Sequence, residues 1–241
     1  MKEKLGVALP KLGPVIAIDG PAGTGKSSVT RRLAETLGFI HVDTGALYRA
    51  IAFLTLEKRP QSALEEAEIA VGQAHESHLE FRRVAGKNPV NRIIANGKDL
   101  TDFIRTPEVS MASSRISAIP EVRAALLGLQ RRLGCVGRTI LEGRDIGTVI
   151  FPDADIKFFL SASVNERAKR RLFELEASGA DALSFEEVKA HIVERDLGDS
   201  TREVAPLKKH PDAIEVDTSF LTLDEVVKMM DETVRKKLSL S

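Results

Sequence analysis

The chain has 241 residues, with 35 basic and 35 acidic side chains, so its formal charge is zero and no uniformly basic surface for nucleic acid or anionic membrane is available. Its one cysteine, Cys135, excludes an internal disulfide and any multi-cysteine metal site, and no uncharged apolar run approaches the roughly 18 residues that span a bilayer. The expectation is a soluble cytoplasmic protein whose single domain buries about 70 to 75% of the surface of the unfolded chain.

Residues 1–13 read as a tail, because the apolar stretch before Pro10 is too short and too charged for the middle of a signal peptide. Val15-Ile16-Ala17-Ile18 predicts a strand. It runs into Gly20-Pro21-Ala22-Gly23-Thr24-Gly25-Lys26-Ser27, then Ser28 and an amphipathic helix carrying Val29, Leu33, Ala34 and Leu37. Strand, glycine-rich loop and helix in that order make a phosphate loop. Its glycines let backbone amides fold around phosphate oxygens, Lys26 supplies a point charge, and the Ser27 hydroxyl is placed for magnesium. A nucleoside triphosphate is the expected ligand.

A second strand, Phe39 to Val42, leads into Asp43-Thr44-Gly45-Ala46-Leu47-Tyr48-Arg49, where a helix starts at a polar turn with an arginine one turn in. Next comes a break in the strand–helix alternation: Leu79 to Val84, Gly86 to Pro89, Asn91 to Ala95 and the hairpin signal Asn96-Gly97 predict a small antiparallel insert. Its basic residues read as a solvated face. The apolar spacing of Val122, Leu126, Leu129 and Leu133 predicts a core helix with Arg123 on another face. Thr139-Ile140-Leu141 is a third strand, ending at Glu142-Gly143-Arg144-Asp145, where open sheets bind ligands. Ile156 to Leu160 and Ala213 to Val216 complete five strands of a largely parallel sheet. Between those two lie Arg167, Arg170 and Arg171, then a polar stretch from Glu174 to Asp199 with Gly179 and Gly198 near its ends, which reads as a flap between helices. Ser62/Glu65, Ser163/Glu166, Ser184/Glu187 and Thr222/Glu225 have the spacing of capping boxes. The five histidines share no metal-ligand or catalytic spacing.

Ile18-Asp19-Gly20-Pro21, the run from Asp43 to Arg49, Gly143 to Ala154, and Glu203 to Leu207 together make the chain resemble the bacterial cytidylate kinases from about Val15 to the last helix. The resemblance implies an α/β nucleoside monophosphate kinase fold: a central parallel sheet with helices on both faces, an antiparallel acceptor-binding insert at about 62–106 and a helical lid at about 174–199, within one kinase domain, 14–241. It implies transfer of phosphate from ATP, with magnesium, to CMP or dCMP. ATP would lie on Gly20, Pro21, Ala22, Gly23, Thr24, Gly25, Lys26, Ser27 and Ser28. Arg49 and Arg144 would hold the acceptor phosphate, Thr44, Arg123, Asp145 and Arg202 would surround the cytosine, and Ser114, Arg195 and Asp199 would face the sugar. Three positions depart from the family pattern: Thr44 stands where serine is common, Glu142 where aspartate is usual, and Gly198 where an arginine is frequent.

No protein nucleophile is needed when the acceptor is an ionised phosphate oxygen, so Lys26, Arg144 and Arg195 are the expected catalytic groups, acting by alignment and charge neutralisation. The alternatives are a kinase for UMP or another small phosphorylated acceptor and, from another class, a nucleotide-dependent regulatory ATPase; the guanine-reading Asn-Lys-x-Asp motif is absent. Nucleic acid is disfavoured by zero net charge and by one tyrosine with no tryptophan. The expected state is a monomer, without membrane or nucleic-acid partners.

Overall fold

The computed structural model describes residues 10–84, 90–177 and 183–240. All five expected strands form. β1 (Val15–Asp19) lies at the centre of a parallel sheet, flanked on one side by β6 (Thr139–Gly143) and then β2 (Ile40–Asp43), and on the other by β7 (Ile156–Ser161) and then β8 (Ile214–Asp217). Every residue of β1 is buried, and its alternation serves two faces. Ile16 and Ile18 pack with Val29 and Leu33 of α1 (Lys26–Leu37) and with Met230 and Val234 of α8 (Leu223–Leu238), whereas Val15 and Ala17 pack with Val42, Leu141 and Ile146 on the opposite side.

α1 ends at Gly38, whose left-handed φ of 66° lets its own N–H reach the Ala34 and Glu35 carbonyls. The Phe39 N–H still bonds the Ala34 carbonyl at 2.8 Å, so the second strand starts one residue later than expected, at Ile40.

The insert follows α2 (Thr44–Glu57). It contains α3 (Ala63–Glu76) and a three-stranded antiparallel sheet of β3 (Leu79–Val84), β4 (Val90–Ala95) and β5 (Lys98–Asp99). Asn96 and Gly97 turn the chain with φ of 51° and 81°, the left-handed pair that a tight hairpin requires. The expected turn at Gly86 to Pro89 lies outside the described residues. The Arg82 and Arg92 side chains pair with Glu80 and Asp99 at the surface. α4 (Pro107–Ile116) and α5 (Pro120–Cys135) bring the chain back, and Leu47, Ile51, Leu100, Ile104, Ile116 and Leu126 knit insert and core together.

The capping boxes divide. Ser184, before α7 (Phe185–Thr201), and Thr222, before α8, complete both halves. Ser62 and Ser163 accept only the amide half, because the Glu65 carboxylate turns to the Gln61 N–H at 2.7 Å and Glu166 pairs with Lys169 at 2.7 Å. The stretch expected to link helices is itself mostly α7, and Gly198 sits inside the last turn of that helix, not at a hinge. Acidic and polar residues there mark an exposed helical face; Gly179 lies outside the described residues. α6 (Val164–Ala177) and α7 share a separate small core of Ala168, Leu175, Val188 and Ile192.

Candidate functional site

The phosphate loop sits where β1 hands over to α1. At Gly20, φ is 150° and an added Cβ would stand 2.1 Å from the Leu160 carbonyl oxygen of neighbouring β7, so no larger residue fits. Gly25 caps α1 in a left-handed conformation, and no side chain accepts from the first-turn amides, which leaves that positive helix end open to an anion. Lys26 is buried; its Nζ donates to the Pro21 carbonyl at 2.5 Å and to Thr24 Oγ1 at 3.3 Å. Burial first, and then the Arg144 guanidinium, pull the ammonium pKa well below its ordinary value. An incoming polyanion reverses both penalties. Ser27 and Ser28 are exposed, and the Ser27 hydroxyl donates to Glu142 Oε2 at 2.8 Å.

Opposite the loop, arginines and carboxylates form one continuous lattice. Arg144 binds Asp199 at 2.8 Å; Arg202 lies 3.7 Å from Asp199 and 3.5 Å from Asp145; Arg123 donates to Asp145 and to the Ser117 carbonyl. Arg123 also lies over the Tyr48 ring, 5.4 Å from its centre. Asp199, Asp145 and Arg123 are all buried, which makes each ion pair strong and each unpaired charge expensive. Arg49 binds Asp43 at 2.6 Å, and the other oxygen of Asp43 caps α2 by accepting from the Ala46 N–H.

Arg195 is only partly compensated, by the charge of Asp199. Burial, with the like charge of Arg144 second, lowers its pKa to about 10, and Arg49 and Arg171 add repulsion. The Nε atoms of Arg49 and Arg195 are buried without a hydrogen-bond partner among the described residues. Lys26 thus feels the charge of Arg144 and Arg195, and Arg195 that of Arg144 and Arg49, a cluster of cations that favours an anion. Two expected acceptor residues stand apart from the lattice. Thr44 is buried and donates its hydroxyl to the Glu142 carbonyl at 2.8 Å; Ser114 is half-buried on α4.

Several contacts were not foreseen. Asp19 accepts from the Ile146 N–H at 2.8 Å and the Gly147 N–H at 2.7 Å, the first amides of a single π-helical turn, Ile146–Ile150. His41 Nε2 lies 2.8 Å from Glu142 Oε1, so one of the five histidines does serve the site, by holding its carboxylate. Only its position two residues before Asp43, at the carboxyl end of β2, hinted at this. Arg105 approaches Asp43 at 3.9 Å beside Arg49. Arg167 is buried, pairs with Asp196 at 2.6 Å and donates to the Ala22 carbonyl, while Arg170 donates to Thr218, whose hydroxyl oxygen lies 3.0 Å from the Thr24 carbonyl oxygen. These two arginines brace the loop's backbone, Arg167 from a buried and Arg170 from a half-buried position. Arg171 pairs with Glu174 at 3.1 Å.

A hollow of about 200 Å³ opens beside the lattice, lined by Tyr48, Arg123, Val149, Val204 and Ala205 among others. A larger one of about 380 Å³, between α2, α3 and the insert sheet, shares no residue with the phosphate loop. Ser27 and Glu142 offer a hydroxyl and a carboxylate in contact, a hard-oxygen pair that fits magnesium when phosphates and water supply the remaining ligands. Among the described residues no helix is long and apolar enough to cross a membrane.

The profile described as Cytidylate kinase matches residues 16–236. A protein named Cytidylate kinase from Geobacter sp. (strain M21) is 46% identical over 227 residues, covering 94% of this chain and 95% of the relative. Its namesake from Geobacter sulfurreducens is 47% identical over 93% of this chain and 94% of the relative. The Bifunctional pantoate ligase/cytidylate kinase of Synechocystis sp. is 48% identical over 92% of this chain but only 43% of the larger protein. With a phosphate loop beside clustered arginines in an α/β core, and a family match that spans nearly the whole sequence, the chain belongs to the cytidylate kinase family.

Proposed function

We propose that the protein transfers the terminal phosphoryl group of ATP to CMP or dCMP, giving ADP and the corresponding diphosphate. The observation that carries this reading is the placement of Arg144 and Arg195 beside Lys26, with Arg49 near Arg195 and the Nε donors of Arg49 and Arg195 unpartnered among the described residues. One anion site is thereby set against another. A phosphate oxygen of the acceptor attacks the terminal phosphorus of ATP as the bond to the ADP oxygen breaks, and the electron pair leaves with ADP.

In this reading the amides of residues 20 to 28 and Lys26 hold the donor phosphates, Arg49 and Arg144 hold the acceptor phosphate, and Arg195 neutralises charge that develops between them. Arg105 stands close enough to Arg49 to add to the acceptor clamp. Asp145 accepts from the exocyclic amine of cytosine, which uracil replaces with an oxygen acceptor, and Arg123 and Arg202 fix that carboxylate on both sides. Asp199, held by Arg144, faces the sugar with Ser114 and Arg195, and Thr44 closes the cytosine side. Magnesium, held through Ser27 and Glu142, would offset phosphate charge when bound. α6 and α7, with their own small core, act as the lid that excludes water. The protein works as a cytoplasmic monomer in pyrimidine nucleotide metabolism.

A coupled assay for ADP with ATP and magnesium, run in parallel against CMP, dCMP, UMP and AMP, tests the reading. Turnover with CMP and dCMP well above UMP and AMP is expected. ATP hydrolysis independent of any monophosphate would replace it with a regulatory ATPase, and a UMP preference would overturn the assignment of Asp145.

A further inference from the structure

Asp19 ends β1, one residue before the phosphate loop, and is buried at 4% exposure. Its two carboxylate oxygens each accept one backbone N–H, from Ile146 at 2.8 Å and Gly147 at 2.7 Å. Those amides open the π-helical turn that directly follows Arg144 and Asp145. The register of β1 against β6 places Asp19 beside Gly143, so the two chain segments leave the sheet side by side. The approach is close: an added Cβ at Gly147 would stand 3.3 Å from Asp19 Oδ2 and 3.1 Å from Lys157 Cδ.

Resting on the kinase reading above, we propose that Asp19 is a positioning residue that ties the donor loop to the acceptor segment, setting where Arg144 and Asp145 point. A carboxylate suits this task because both oxygens accept. An amide side chain would present one oxygen and one NH₂ group, leaving a buried N–H facing a donor. The charge is not there for stability. Burial outweighs the two amides and raises the Asp19 pKa to about 6, with Asp145 adding to the rise and Lys26 opposing it. A buried acid that is costly to ionise, yet held in two hydrogen bonds at the junction of two substrate segments, fits a role in geometry.

Asp19→Asn keeps the shape and removes one acceptor; Gly147→Ala disturbs the same joint from the other side. For both, CMP affinity by titration calorimetry is expected to weaken at least about tenfold while ATP affinity stays within about threefold. The ratio of kcat/KM for CMP over UMP should fall, while relief of the buried charge and the new donor–donor contact oppose each other, so the thermal midpoint of Asp19→Asn should stay within about 5 °C of that of the unmodified chain. A merely structural contact would instead lower the midpoint and weaken both nucleotides together. Unchanged CMP affinity in both variants, equal loss of CMP and ATP, or failure of the variants to fold overturns the inference. Lack of CMP turnover in the unmodified chain overturns the kinase reading itself, and the inference with it.

Discussion

At Lys26 and Arg144 the sequence and the structure speak about the same atoms from two directions. Arg144 is held by Asp199, yet its charge still adds to the cost of ionising the buried Lys26, a cost that an anion joining the two would offset. Lys26→Ala and Arg144→Ala should each cut kcat by at least about a hundredfold, equivalent to about 2.7 kcal/mol of transition-state stabilisation, with ADP formation under saturating substrates as the measurement. Asp145→Ala should abolish the preference for CMP over UMP, read as the ratio of the two kcat/KM values. Lys26 stands out through the phosphate-loop pattern, Arg144 through its place at the end of a strand, and the role expected of Asp145 through the family resemblance. Asp19 sat in a quoted motif without an assigned task, since its partners are backbone amides about 127 positions away, a relation no local pattern encodes. His41 escaped for a similar reason: its partner Glu142 is brought near only by the pairing of β2 with β6.

The elements themselves were mostly legible because apolar period and punctuation agree. Five strands were foreseen from short apolar runs: central β1, buried on both faces, reads as an unbroken apolar run, whereas the edge strands β2 (Ile40-His41-Val42-Asp43) and β8 (Ile214-Glu215-Val216-Asp217) alternate with polar residues. Capping shows where spacing falls short of structure: all four pairs have the right interval, but only Ser184/Glu187 and Thr222/Glu225 close both hydrogen bonds. Thr222→Ala should therefore lower unfolding free energy by about 1 kcal/mol in urea titration, and Ser163→Ala by less. Gly134 offers a second test at this scale. On α5 its missing side chain admits the Phe151 ring, which an added Cβ would meet at 2.4 Å, so Gly134→Ala should cost about 1 to 3 kcal/mol despite the better helix propensity of alanine. The π-helical turn had no sequence signal, because its extra residue is absorbed by contacts with Asp19, not by its own composition.

Across the whole molecule, neutrality hides a strong internal segregation of charge. The lattice of Asp43, Asp145 and Asp199 with Arg49, Arg123, Arg144 and Arg202 spans segments from all parts of the chain. For Asp199 burial pushes the carboxyl pKa up, but Arg144, Arg195 and Arg202 together lower it; for Asp43, Arg49 with His41 and Arg105 outweigh burial in the same way. A lowered acid pKa contributes stability that is complete above the unfolded value of about 3.9 and disappears as pH falls through the folded value. Acid unfolding followed by circular dichroism should therefore steepen below about pH 4, and Asp199→Asn should flatten that limb.

The contact between Thr218 and Thr24 has a bearing on how the protein is made. A loop made early is braced by a residue 194 positions later in the chain, through Arg170 and the turn that follows β8. Nascent chains stalled before residue 218 carry every glycine of the loop but lack that contact, so nucleotide capture during translation should strengthen only once residue 218 has emerged.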